Sequence, residues 1–335
     1  MITRFTTTFG MITPAKFTAP LWARNAHIQT IYPKLFLRTP NVHFKSVRID
    51  TSDGDFLDLG LSMSPSGQPP KVIAVLFHGL EGSQKSHYIQ HLVVKLHEHG
   101  IASIVMHFRG CSGVINNRPR AYHSGETDDA QQCLLWIKNT YPQAVLFAAG
   151  FSLGGNMLLK LLGESGDQNL KAAVSVSAPI KLAASSDAIN KGFAKRYQSH
   201  LLKTMQQNLV EKMSVMDMRS HLNIKREDVG RLSTFRLFDE HVTSKLHGFD
   251  DANDYYAKSS AMSLIKKIQL PTLIIHSQDD PFTDERVIPE ASQLSLKTAY
   301  EISRYGGHVG FVQGSPWAPK LWLPERITQF FQEHL

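Results

Sequence analysis

The chain has 335 residues, of which 42% are hydrophobic and 19% charged, a composition typical of a folded protein with a substantial core. Its formal net charge is +7, but the basic residues occur at most in short pairs such as Lys195-Arg196. A nucleic-acid site would gather cations on one face with aromatic residues among them. We therefore expect no nucleic-acid partner.

The sequence contains no run of about 18 apolar residues, which a membrane-spanning helix would need. The first ten residues lack the apolar run of a signal peptide. The two cysteines, Cys111 and Cys133, fit neither a disulfide framework nor a C-x-x-C motif. We expect a cytoplasmic protein with reduced cysteines and no integral membrane segment, and the oligomeric state stays open.

Four prolines divide residues 1–40, which predicts an irregular N-terminal segment. Residues 43–50 and 55–61 predict two strands joined by the Asp53-Gly54 turn. The continuous apolar run 71–77 is typical of a strand buried on both faces.

Helices and strands then alternate along the chain. The pattern predicts helices over 86–98, 125–140, 153–163, 284–294 and 323–333, and strands over 101–106, 144–149, 170–176, 271–276 and 298–303. This order favours a mostly parallel central sheet flanked by helices.

Residues 181–250 interrupt the alternation, since they are polar and helical in periodicity without a strand-like run. We expect an inserted helical cap over the carboxyl edge of the sheet, and whether it gates a site or only decorates the fold stays open. The prediction is one domain over 1–335, with a core of 41–180 and 251–335.

The sequence Gly150-Phe151-Ser152-Leu153-Gly154 matches G-x-S-x-G and lies between a predicted strand and a predicted helix. That setting is typical of a nucleophile elbow, in which a sharp turn presents the serine hydroxyl above the sheet. Ser152 is the predicted nucleophile. The loop 78–82 follows the strand at 71–77, and the backbone N–H groups of Leu80 and Leu153 are the predicted oxyanion donors.

A serine hydroxyl needs a general base, and in this arrangement the acid and then the histidine follow the serine along the chain. Asp280 is favoured over Asp279 as the acid because it lies four residues beyond the end of the strand 271–276. His308, in the glycine-rich loop 306–310, is the predicted base.

Six motifs together resemble the YheT-like esterases of the α/β-hydrolase superfamily. They are RNAHIQT at 24–30, HGLEG at 78–82, FRGCSG at 108–113, YHSG at 122–125, DDPF at 279–282 and GGHVGF at 306–311. The resemblance implies an α/β-hydrolase fold and esterase or lipase-like activity on small-molecule carboxylic esters, lipid-like ones included. It places the triad on Ser152, Asp280 and His308, and we expect no cofactor.

Three alternatives stay open from the sequence: an acyltransferase, a thioesterase, or a non-catalytic binding protein of the same fold. The family also carries an H-x-x-x-x-D pattern, here His123 to Asp128, which is sometimes interpreted as an acyltransferase signature. His87 and His91 are spaced to chelate a metal but lack a third ligand, so we expect no metal site. Five apolar residues of the insert could line an acyl pocket or pack within the insert: Phe235, Leu237, Phe238, Met216 and Met218.

Overall fold

The computed structural model describes residues 7–63, 68–166 and 168–335. Within these residues, one sheet comprises β1 (Ile12–Pro14), β2 (Lys45–Asp50), β3 (Phe56–Ser62), β4 (Val72–Phe77), β5 (Ala102–Met106), β6 (Val145–Phe151), β7 (Leu170–Val176), β8 (Thr272–Ser277) and β9 (Thr298–Ser303). The strand order is β1-β9-β8-β7-β6-β4-β5-β3-β2. Only the β2–β3 and β3–β5 pairs are antiparallel, so the predicted mostly parallel sheet is confirmed.

The helices of the described chain are α1 (Ala26–Phe36), α2 (His87–Glu98), α3 (Thr127–Thr140), α4 (Leu153–Ser165), α5 (Leu182–Ile189), α6 (Ala194–Val215), α7 (Phe235–Phe238), α8 (Ser244–His247), α9 (Ala252–Ser259) and α10 (Trp322–Gln332). None of them is both long enough and apolar enough to cross a bilayer.

Helices cover both faces of the sheet, which explains the unbroken apolar strands. In β4, Ile73, Val75 and Phe77 belong to the core shared with α3 and α4. The alternate residues Ala74 and Leu76 belong to the core shared with α2 and α10. Successive side chains of a strand point to opposite faces, so a strand covered on both sides is apolar throughout.

The N-terminal segment is more ordered than its prolines indicate, and the expectation of an irregular 1–40 is wrong for its described part. β1 pairs with β9, and α1 begins where the Asn25 side chain accepts hydrogen bonds from the N–H groups of His27 and Ile28. Pro33 lies inside α1. Residues 1–6 lie outside the described part.

Two other boundaries differ from prediction. Instead of a helix over 284–294, the structure has two short 3-10 turns, Glu285–Val287 and Ala291–Gln293, because Pro289 lacks an N–H and holds Ile288 extended. The helical insert continues beyond residue 250 through α9, which Asp251 caps by accepting from Asp254 N–H.

The insert between β7 and β8 has an apolar cluster of its own, which includes Leu202, Met218, Val229 and Val242. Near the C-terminus, β10 (Val312–Ser315) and β11 (Ala318–Leu321) form a separate antiparallel hairpin that the sequence pattern did not predict.

Candidate active site

Ser152 lies at the sharp turn between β6 and α4 with backbone angles φ 51° and ψ −118°. Such a positive φ is strained for a residue with a side chain and occurs mainly at functional sites. The turn is possible only with glycine at its flanks. A Cβ at Gly154 would lie 2.6 Å from the Phe77 carbonyl oxygen, and one at Gly150 would lie 2.8 Å from Gly155 Cα.

The imidazole of His308 is fixed on two sides. Its Nδ1 donates a hydrogen bond of 2.8 Å to Oδ2 of the buried Asp280 carboxylate. The ring of Phe282 stacks on it at 4.0 Å between centroids and 5° between planes. Since Nδ1 carries the proton, Nε2 is left as the basic nitrogen.

The side chain of Asp279 binds the main chain of the same loop. Its Oδ1 accepts a hydrogen bond of 2.9 Å from Gly307 N–H, while burial raises the pKa of its carboxyl group. Of the two adjacent aspartates, the structure therefore brings Asp280 to the imidazole and Asp279 to the main chain beside it.

Helix α1 supports the His308 loop from the opposite side. The Thr30 hydroxyl accepts from His308 N–H at 3.0 Å, and the Gln29 side chain both accepts from Val312 N–H and donates to its carbonyl. Pro33 has no N–H to offer the Gln29 carbonyl, and a Cβ at Gly310 would collide with that oxygen. Gln29 and Thr30 belong to the RNAHIQT motif, but no local pattern in the sequence predicts a role for either of them.

Two residues in the cavity wall with Ser152 have backbone N–H groups that make no hydrogen bond within the described residues. These residues are Leu80 and Leu153. Their neighbours are engaged: Gly79 N–H donates to Tyr88 Oη and Glu81 N–H to Tyr122 Oη, each at 2.9 Å. The predicted oxyanion donors are thus both available at one wall.

His78 orders the loop that carries Leu80. Its Nδ1 donates to the Gly79 carbonyl at 2.7 Å, and its Nε2 accepts from Phe108 N–H at 3.2 Å. Complete burial lowers the pKa of His78 to about 3, so the ring is neutral at pH 7.

Glu81 connects the same loop to the insert. Its Oε1 accepts from Tyr122 Oη at 2.7 Å and its Oε2 from Asn208 Nδ2 on α6 at 2.6 Å. Burial raises the pKa of Glu81, and its φ of 54° marks a second strained position.

A cavity of about 240 Å³ joins these groups, with Ser152, His308, Leu80 and Leu153 in its wall. The insert supplies an apolar lining: Leu182, Ile189, Leu201, Met205, Leu209, Phe235, Phe238, Val242 and Leu246. Met216 and Met218 lie instead in the insert's own cluster. The cavity therefore combines a polar, reactive wall with an apolar one.

His123 and Asp128 do not act as a pair in this structure. His123 lines the cavity and its Nδ1 accepts from Gly125 N–H, whereas Asp128 is exposed on α3. His123, Glu126 and His247 offer ligand atoms within 4.8 Å of one another. Arg120 already donates to the Glu126 carboxylate, and its positive charge would oppose a metal ion there.

The strained serine turn and the Asp280–His308 pair at the carboxyl edge of the sheet are features of one large class of proteins. A model of the alpha/beta hydrolase fold matches residues 74–315, and the chain belongs to that family. It is 42% identical over 313 residues to the protein named "Putative esterase YheT" of Escherichia coli (strain K12), covering 93% of this chain and 91% of that one. The predicted resemblance to YheT-like proteins is confirmed.

More distant proteins are similar over most of the chain. Phospholipase ABHD3 of Bos taurus is 29% identical over 93% of this chain and 77% of its own. The structure of the Pyrococcus furiosus esterase Pf2001 superposes with a TM-score of 0.56 at 14% identity, covering 96% of this chain and 99% of that one.

Proposed function

We propose that the protein is a serine hydrolase that cleaves carboxylic esters through an acyl-enzyme intermediate, with Ser152, Asp280 and His308 as its triad. The observation that carries this proposal is the 2.8 Å bond between His308 Nδ1 and Asp280 Oδ2, in a loop that shares one cavity with Ser152. The names of the relatives, an esterase and a phospholipase, support the same chemistry.

In the first half-reaction, His308 Nε2 takes the proton of Ser152 Oγ as the oxygen bonds to the ester carbonyl carbon. The N–H groups of Leu80 and Leu153 stabilise the resulting oxyanion, each by about 3 kcal/mol. The bond between the carbonyl carbon and the alcohol oxygen then breaks, and that oxygen takes the proton from His308. Water repeats the sequence on the acyl-enzyme and releases the acid.

Asp280 keeps the imidazole in the tautomer that leaves Nε2 free, and it stabilises the imidazolium formed in each half-reaction. The apolar lining from the insert favours an ester with an aliphatic or aromatic acyl chain over a small polar one. This preference extends to lipid-like esters.

The test is a panel of esters of graded acyl length, measured with the wild type and with Ser152→Ala. We expect the substitution to lower kcat by at least about a thousandfold while the far-UV circular dichroism and the melting temperature stay unchanged. A fluorophosphonate should label the wild type and leave Ser152→Ala unlabelled. Undiminished hydrolysis by the variant would show that another residue is the nucleophile.

The same assays, with an added alcohol acceptor, test two of the alternatives. A non-catalytic binding protein would neither react with the fluorophosphonate nor turn over any ester. An acyltransferase would form the labelled serine but transfer the acyl group to an added alcohol in preference to water. The exposed position of Asp128 disfavours a role for the His123–Asp128 pattern in such transfer.

A further inference from the structure

An exposed apolar surface lies on α1, on the 3-10 turn Leu21–Ala23 that precedes it, and on the tip of the β10–β11 hairpin. Its four side chains are Leu21, Leu35, Phe36 and Trp317, exposed to 81%, 64%, 69% and 93%. We call these four residues the apolar patch. Exposed apolar side chains scattered singly are ordinary, but two large aromatics and two leucines on adjoining elements point to a partner.

The patch is held together by contacts beneath it. Trp22 Nε1 donates to the Gly314 carbonyl at 3.0 Å, and Tyr32 Oη donates to the Pro316 carbonyl at 3.2 Å. The Tyr32 ring contacts those of Trp22 and Phe36 at centroid distances of 4.8 and 5.1 Å. The hairpin tip that carries Trp317 is therefore fixed against α1.

The two chain segments that carry the patch contain no acidic residue. Residues 1–49 contain seven Lys and Arg and no Asp or Glu, and the rest of the chain carries 29 of each sign, so the whole net charge of +7 belongs to that segment. Residues 302–324, which include the hairpin, also lack acidic residues. Lys34, Arg38 and Lys320 are exposed, and none of them forms an ion pair within the described residues.

We propose that this face docks on a lipid bilayer that contains anionic lipid, with the apolar patch in the interface and the cations against the headgroups. Aromatic and aliphatic side chains flanked by Lys and Arg are the combination that binds interfacially. A second copy of the chain would present the same unpaired cations to this face, so like charges oppose dimerisation there.

The docking face adjoins the candidate active site. The hydroxyl of Thr30, one turn before Lys34 on α1, accepts a hydrogen bond from His308 N–H. His27, on the same helix, contacts the Tyr197 ring, which packs on Phe282. A bilayer bound by the patch would therefore lie beside the loop that carries the proposed base. Membrane binding requires no hydrolysis, so the proposed docking surface can be tested independently of the proposed esterase activity.

The test is co-sedimentation with vesicles of phosphatidylcholine alone or mixed with phosphatidylglycerol. The Ser152→Ala chain is used beside the wild type so that no lipid is consumed. We expect binding to the mixed vesicles that weakens as salt is added, and much weaker binding to phosphatidylcholine alone.

Two double variants test the patch and its charge. Phe36→Ser/Trp317→Ser should lower the partition coefficient at least about tenfold, since both side chains would lose their contact with the acyl boundary. Lys34→Glu/Arg38→Glu should lower it about tenfold or more. The matched control for the apolar variant is Leu296→Ser, because Leu296 is 87% exposed and lies just before β9, at the opposite end of that strand from His308. The matched control for the charge variant is Lys171→Glu/Lys297→Glu, at two other exposed lysines.

The proposal is overturned if the unmodified chain stays in the supernatant with mixed vesicles at low salt, or if the controls weaken binding as much as the patch variants. A dimer in light scattering that dissociates on Phe36→Ser/Trp317→Ser, without vesicle binding, would assign the face to a second copy instead.

Discussion

Asp279 and Asp280 are neighbours in the chain, yet they bond to different parts of the His308 loop. Asp280 Oδ2 accepts from the imidazole Nδ1, and Asp279 Oδ1 accepts from Gly307 N–H. Only the first bond has a role in the proposed proton transfers. The two residues therefore form a matched pair for testing which carboxylate acts on the base.

We expect Asp280→Asn to lower kcat about ten-thousandfold, because an amide cannot stabilise the imidazolium and favours the wrong tautomer. Asp279→Asn keeps an oxygen to accept from Gly307 N–H, so kcat should fall less than about tenfold. Steady-state kinetics on the best ester of the panel give both values. Equal losses for the two variants would contradict the assignment of Asp280.

At the scale of single residues, local patterns were enough to predict Ser152, Asp280 and His308, because each lies in a distinctive turn directly after a strand. The hydrogen bond by which Thr30 positions the His308 loop could not be predicted from a local pattern. This bond joins positions 278 residues apart, and a hydroxyl in a helix has no local signature of such a contact.

Among the elements, α1 positions the candidate base most directly. The Thr30 hydroxyl donates to the Ala26 carbonyl and accepts from His308 N–H, so it ties the helix to the loop. The α1 helix was missed in the sequence because Pro33 stands inside it, and a proline usually marks a turn or the end of a helix. Pro289 had the opposite effect, since it ended a helix that the surrounding pattern predicted.

We expect Thr30→Val to lower kcat by about ten- to a hundredfold, because valine keeps the shape but loses the acceptor that orients the loop. KM and the melting temperature should change little, and Thr30→Ser should retain nearly full kcat. This split between kcat and KM, together with rescue by serine, distinguishes positioning from a general loss of structure. If Thr30→Ser loses as much kcat as Thr30→Val, the hydroxyl is not the group that matters.

Across the whole molecule, one buried guanidinium joins three parts of the fold. Arg109 donates to Asp53 and Asp55 in the β2–β3 turn and to Asp129 in α3, at 2.6 to 2.9 Å. Burial opposes ionisation of Asp53, but hydrogen bonds from Thr51 and Arg109 lower its pKa to about 2. The stability that this carboxylate contributes is present above its unfolded pKa near 3.8 and is lost as the pH falls through 2.

We expect Arg109→Met to lower the free energy of unfolding at pH 7 by about 3–5 kcal/mol, because Asp55 and Asp129 would remain buried without their cation. Arg219→Met is the control, since it breaks a fully exposed pair with Asp217 and should leave stability unchanged. Urea denaturation measures both. An equal loss of unfolding free energy for Arg109→Met and Arg219→Met would mean that the hydrogen bonds of Arg109 to the three aspartates contribute nothing to stability.

The position of β9 has a consequence for biosynthesis. The first strand of the sheet, β1, can pair only with β9, and the loop that follows β9 holds His308, 156 positions after Ser152. A chain that ends before residue 308 contains the proposed nucleophile but not the proposed base. We expect such a molecule to react with a fluorophosphonate far more slowly than one that includes the His308 loop, because no side chain is placed to take the proton of the serine.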